Sequence, residues 1–99
     1  MLTSSQRKRL RGLAHALKPS VHIGHGGLSD ALLTQLDAEL DHHELIKVKF
    51  VDFKDQKREA CDEIGAALHS ETVGIIGHIA ILFRQSRDPE KRRIEIDDL

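Results

Sequence analysis

Apolar residues recur at Leu10, Leu13, Ala14 and Leu17, the i, i+3, i+4, i+7 spacing that lines one face of a helix, so these four form the predicted buried stripe of a first helix. Thr3 followed by Gln6 is a capping-box pattern and places the helix start at Thr3 or Ser4. Pro19 disfavours helical geometry in the residue before it, so the helix is expected to stop near Lys18. A strand over 20–24 follows, then a glycine-rich turn. A second helix from about Asp30 to Asp41 carries Leu28, Leu32, Leu33, Leu36 and Leu40 as its apolar stripe.

Leu45 to Val51 alternates instead, with Ile46, Val48 and Phe50 on one side and Leu45, Lys47, Lys49 and Val51 on the other. Two lysines on one face imply a strand that is partly wet on that side. Helical spacing returns from Gln56 to His69, predicting burial of Ala60, Cys61, Ile64, Ala67 and Leu68. Thr72–Ile76 and Ile79–Arg84 read as two strands joined at Gly77-His78, a type II′ hairpin signal. From Gln85 onward the chain is polar, and only Ile94 and Ile96 hint at a last short strand. The order α-β-α-β-α-β-β predicts an α/β domain over residues 1–84, a compact sandwich of two or three layers around a small mixed sheet, with a charged tail over 85–99.

Ninety-nine residues suffice for one modest core. The lone cysteine, Cys61, precludes an internal disulfide, fits a reducing compartment and reads as a small core residue. No apolar run reaches the roughly 18–20 residues of a membrane span, and no apolar secretory segment opens the chain, so a cytoplasmic protein is expected.

Net charge is only −1, yet it is unevenly placed. Residues 1–27 carry five bases and no acid, whereas 28–71 carry five bases against eleven acids. The positive end therefore includes the glycine turn. On a helical wheel Arg7, Lys8, Arg11, His15 and Lys18 share one flank of the first helix.

The turn itself, Gly24-His25-Gly26-Gly27, joins a strand to a helix whose N-cap is expected at Ser29. Glycines at the ends of a G-x-x-G frame permit unusual backbone angles, and bare amides beside a helix start suit phosphate oxygens. Many strand-to-helix turns carry glycine only to reverse the chain, so the motif gains weight from its basic surroundings. Together with Arg7, Lys8, Arg11, Lys18, Lys47 and Lys49, the turn residues Gly24, His25, Gly26 and Gly27 form the predicted nucleic-acid site, in which helix flank and turn make one anion-attracting surface. Protonation of His25 in mildly acidic solution would add charge there.

Catalytic signatures are missing. None of the serines sits in a G-x-S-x-G elbow, the glycine turn lacks the Gly-Lys-Ser/Thr ending of a nucleotide-binding loop, and the seven histidines show no metal-ligand spacing. An enzyme, a bound metal and a cofactor are therefore not expected. With no Trp or Tyr, and with at least two of Phe50, Phe53 and Phe83 assigned to the core, base stacking across an open sheet is not expected either.

The runs Leu13-Ala14-His15-x-Leu17-Lys18-Pro19-x-Val21-x-Ile23-Gly24-x-x-Gly27-Leu28-Ser29, His42-His43-Glu44-Leu45-Ile46-Lys47-Val48-Lys49 and Ile76-Gly77-His78-x-x-x-Leu82-Phe83-Arg84 resemble the YhbY family, the bacterial stand-alone form of the CRM domain (chloroplast RNA splicing and ribosome maturation). The resemblance implies a four-stranded mixed sheet in a fold similar to the C-terminal domain of translation initiation factor 3. It also implies RNA contact through Gly24 to Gly27 and association with precursors of the large ribosomal subunit. Two departures stand out: a third glycine inside the loop, and Phe83 where a tyrosine is frequent. The expected partner is RNA, above all large-subunit rRNA within a pre-ribosomal particle, bound by a monomer. A general RNA chaperone or intron-binding module is the alternative of the same class. A protein-interaction module using the acidic face of the second helix is the alternative of another.

Overall fold

The computed structural model describes residues 2–95. Thr3 caps the first helix as its sequence requires: its hydroxyl accepts from the Gln6 amide (3.1 Å) and the Gln6 side chain accepts from the Thr3 amide (2.8 Å). This helix, α1, spans Ser4–Ala14 and so ends earlier than the proline alone suggested. The His15 amide donates to the Gly12 carbonyl and the Leu17 amide to the Ala14 carbonyl, tightening the chain into a turn that delivers it to β1, Pro19–Ile23. In consequence Leu10 and Ala14 are fully buried, while Leu13 and Leu17 remain 40% and 38% exposed.

Next come α2 (Asp30–His43), capped by the Ser29 hydroxyl on the Leu32 amide, and β2 (Leu45–Phe50). A 3-10 turn, Lys54–Gln56, leads into α3 (Lys57–Leu68), followed by β3 (Glu71–Ile76) and β4 (Ile79–Phe83). Gly77, at φ 58°, begins the β3–β4 turn, the backbone angle that a II′ hairpin demands of its first central residue. In α3, Ala60, Cys61 and Ile64 are buried but Ala67 is exposed. Burial pushes the Cys61 thiol above its ordinary pKa, consistent with a core residue.

The strands form one sheet in the order β1-β2-β4-β3. β1 pairs parallel with β2, and the other two pairings are antiparallel, so the sheet is mixed as expected. Three layers result. Helices α2 and α3 cover one face over a core that includes Val21, Ile23, Leu36, Leu40, Ile46, Val48, Phe50, Ile64 and Leu82. Helix α1 covers only part of the other, where Leu10 and Ala14 meet Leu45, Val73, Ile81 and Phe83. No helix among the described residues is long and apolar enough to cross a membrane.

Residues after β4 are held down. Glu44, the C-cap of α2, is 1% exposed and its carboxylate accepts from the backbone amides of Ser86, Arg93 and Ile94. Ile94 packs on the Leu10 cluster. The last short strand expected around Ile94 is not formed at that residue, and Ile96 lies outside the described residues.

Candidate nucleic-acid interface

β1, β2 and β3 all run the same way, so their C-terminal ends gather at one edge of the sheet, with the glycine loop, the chain after Phe50 and the Gly77-His78 turn side by side. The loop is a closed turn: the Gly27 amide donates to the Gly24 carbonyl at 3.0 Å. His25 and Gly26, both exposed, occupy its tip, and their amides make no hydrogen bond among the described residues. The amides of Val51 and Asp52 both donate to the Ile23 carbonyl, which fixes the loop's base to the end of β2.

Only one of the three loop glycines has a conformational need for glycine. Gly27 has φ +61°, and a Cβ there would lie 3.2 Å from the Phe53 ring, whereas a Cβ at Gly24 or Gly26 meets nothing within 4 Å. Gly27→Ala is therefore expected to cost about 1–2 kcal/mol of stability in chemical denaturation, and Gly24→Ala far less. Sequence reasoning passed over two neighbours of the loop. Phe53 is 42% exposed against Gly27, and Asp52 places its carboxylate 3.6 Å from the His25 imidazole.

Beneath this edge lies the part of the sheet that α1 leaves open. Register places His22 beside Lys49, Lys49 beside Ile79 and Ile79 beside Ile76, a row across all four strands. His22, Lys49 and Ile76 are exposed, and among the described residues Ile76 is the most exposed large apolar side chain. One step down, Lys47 pairs with Ile81 and Ile81 with Gly74, over which the Arg11 side chain lies. Neither row contains an acid. The Lys47 ammonium donates to the Leu17 carbonyl at 3.0 Å and so tethers the turn after α1.

A further cationic group joins at the hairpin turn. Lys57 donates to the Gly77 carbonyl and contacts His78 Nδ1. Some loss of hydration, then the charges of Lys57 and Lys54, hold the exposed His78 imidazole below its ordinary pKa, with Asp55 opposing them and Lys49 adding a smaller push. Four positive or potentially positive groups thus converge, of which only Lys49 was singled out from sequence. Because the folded state disfavours the imidazolium, stability should fall as pH drops below the ordinary histidine range, and a bound polyanion should raise the His78 midpoint. An NMR titration of the His78 ring with and without polyanion checks both directions.

Arg7 and Lys18 lie apart from the loop and Arg11 reaches only the row below that of Lys49, which corrects the single helix-plus-loop surface expected above. Arg7 donates to the Thr72 carbonyl (2.6 Å) and pairs with Glu71 (3.6 Å); Arg11 donates to the Val73 carbonyl (3.4 Å). Val73 sits where the β3–β4 register slips, so Arg11 serves a carbonyl at a bulge. β3 is the edge strand farthest from β1, about 14 Å away at three strand spacings. Lys18 precedes β1 at the end opposite the loop, about 20 Å from Gly24 along the strand. Lys8 is exposed on α1. The structure therefore brings together Gly24 to Gly27, Lys49, His22 and the hairpin-turn cations, with Lys47 and Arg11 one row below.

Acidic side chains populate the opposite, helical layer. Asp37 and Asp41 on α2 grip the Arg84 guanidinium at 2.7 and 2.8 Å, so much of that acidic face is already engaged. Among the described residues no three His, Cys, Asp or Glu side chains are grouped as metal ligands would be.

Comparison with known proteins fits this geometry. Residues 2–84 match the family model for the CRS1 / YhbY (CRM) domain. A Pseudomonas aeruginosa protein named a probable RNA-binding protein is 36% identical over 91 residues, covering 91% of this chain and 88% of that one. A Haemophilus influenzae RNA-binding protein is 38% identical over 88 residues, covering 88% and 89% of the two chains. The solution structure of a hypothetical Staphylococcus aureus protein, proposed in its description to bind RNA, superposes with TM-score 0.78 at 35% identity, covering 96% of this chain and all of that one.

Proposed function

Because the chain belongs to the CRS1 / YhbY (CRM) domain family, we propose that it binds RNA with the open sheet face and the Gly24–Gly27 loop, and that its RNA is the large-subunit rRNA of immature ribosomes. The observation that carries the RNA reading is the acid-free row His22–Lys49–Ile79–Ile76, which begins in the strand leading to the two exposed loop amides and ends at the hairpin turn that Lys57 contacts. The row itself presents no carboxylate to an approaching phosphate, Asp52 standing at the loop tip beside His25, and each neutralised phosphate releases counterions. The ribosomal part is supported by the family resemblance of the three sequence blocks. In this reading the protein acts as a cytoplasmic, monomeric assembly factor and contributes no chemistry.

Loop variants separate phosphate contact from folding. Gly26→Asp adds a side chain in open space, so it should fold normally and bind RNA about tenfold more weakly by filter binding. Asp52→Asn removes the carboxylate that faces His25 at the loop tip and should tighten binding about two- to fivefold. For the ribosomal part, tagged protein should sediment with immature large subunits on a sucrose gradient. RNA binding in vitro without that co-sedimentation would favour a general RNA chaperone. The acidic α2 face is a poorer candidate for partner binding, since Arg84 occupies Asp37 and Asp41.

A further inference from the structure

Phe53 is an unusual residue to find where it is. It adopts left-handed backbone (φ 56°, ψ 36°), a conformation in which glycine or asparagine is cheaper, and leaves its ring 42% exposed. Phe50 and Phe83, by contrast, are buried. The ring is not loose: one side lies against Gly27, with Cε2 and Cζ only 3.2 Å from the point where a Cβ would stand. A fixed aromatic surface thus borders the loop whose tip carries the unbonded His25 and Gly26 amides. Nothing in the packing of the core calls for a phenylalanine at this position.

An aromatic ring beside a phosphate-binding corner suits one kind of ligand. In an unpaired nucleotide, the base can turn toward the ring while its own phosphate sits at the amides, one ribose away. In a duplex the base faces its partner strand and cannot. Resting on the RNA-binding reading above, we infer that Phe53 stacks an unpaired base of RNA whose phosphate is held at the tip of the Gly24–Gly27 loop, so that the edge of the molecule selects single-stranded or looped RNA over continuous duplex. Stacking of this kind is tolerant of base identity, because every base has a π face. Lys49 and Lys54, which converge on the neighbouring hairpin turn, attract the flanking phosphates.

The chain contains no tryptophan, so Phe53→Trp supplies a single fluorescent reporter at this position. Titrated with a short oligouridylate or oligoadenylate, Phe53→Trp should bind at least as tightly as the parent protein, with its emission quenched on saturation. Phe53→Asn, which suits left-handed backbone, should melt at or above the parent temperature and bind the same oligonucleotide about 5- to 100-fold more weakly. Its affinity for a blunt RNA duplex should not change. Unquenched emission at saturation, or equal single-strand affinity for Phe53→Asn and parent, overturns the stacking contact and leaves the RNA reading standing. If the parent protein binds neither single-stranded nor duplex RNA, the RNA reading itself falls and this contact with it.

Discussion

Replacing Lys49 and Lys54 together by glutamate is expected to lower affinity for RNA about 100-fold near 0.1 M salt without altering the thermal melt. Both residues are exposed, and the ammonium of neither forms a hydrogen bond among the described residues, so folding should not register the change. Binding should, for two reasons that add. Each lysine lost removes one phosphate contact and the counterion release that accompanies it, and each glutamate gained repels the same phosphate. On a single-stranded RNA the two lost contacts should also flatten the plot of log affinity against log salt by about 1.4. Lys47 is left out of this variant because its ammonium holds the Leu17 carbonyl, and its loss would confuse a binding defect with a loosened α1. A fully retained salt slope in the double variant, measured by filter binding between 50 and 300 mM salt, would remove this face from the mechanism.

The largest effect on stability is expected at Glu44. Its carboxylate is buried and receives three backbone amides, at 2.5 Å from Ser86, 2.6 Å from Arg93 and 3.0 Å from Ile94. Hydrogen bonds to a charged acceptor contribute about 1.5–3 kcal/mol each, and donors left unmet in a closed site cost more than donors returned to water. Here the residues after β4 can lift off and be hydrated, so Glu44→Ala should cost about 2–4 kcal/mol, roughly 10–20 °C in melting temperature for a chain of this length. Glu44 also has φ 62°, and so Glu44→Gly should be about 1 kcal/mol less damaging than Glu44→Ala. Hydrogen exchange should accelerate at Ser86, Arg93 and Ile94 in both variants. RNA affinity should stay unchanged, since Glu44 stands before β2, at the end of the sheet opposite the loop.

Sequence patterning located all seven major elements because the hydrophobic repeat switches between 3.6 and 2 wherever helix meets strand, Gly77-His78 marks the one strand-to-strand turn, and the Thr3 and Ser29 caps are local chemistry. It overran the end of α1, since Leu17 continues the helical spacing even though the chain has already turned to reach β1. Lys47 and Lys49 were legible for a related reason: alternation in β2 assigns them a face, and whether α1 covers that face is a question of tertiary packing. Arg7 and Arg11 were not. A helical wheel shows which residues share a flank but not which strand lies beneath it, and here that strand is β3 with a bulge carbonyl to satisfy. Glu44 and Phe53 were beyond reach, because left-handed backbone at a non-glycine residue leaves no periodic trace.

The most direct test is an amide and ring chemical-shift map of the 15N-labelled protein titrated with a single-stranded RNA. Shifts should concentrate at His22, Gly24 to Gly27, Lys49, Phe53 and His78, with little change along Asp30 to His43. Perturbations confined to α2, or to the α1 flank of Lys8 and Lys18 with the loop and sheet row silent, would contradict it.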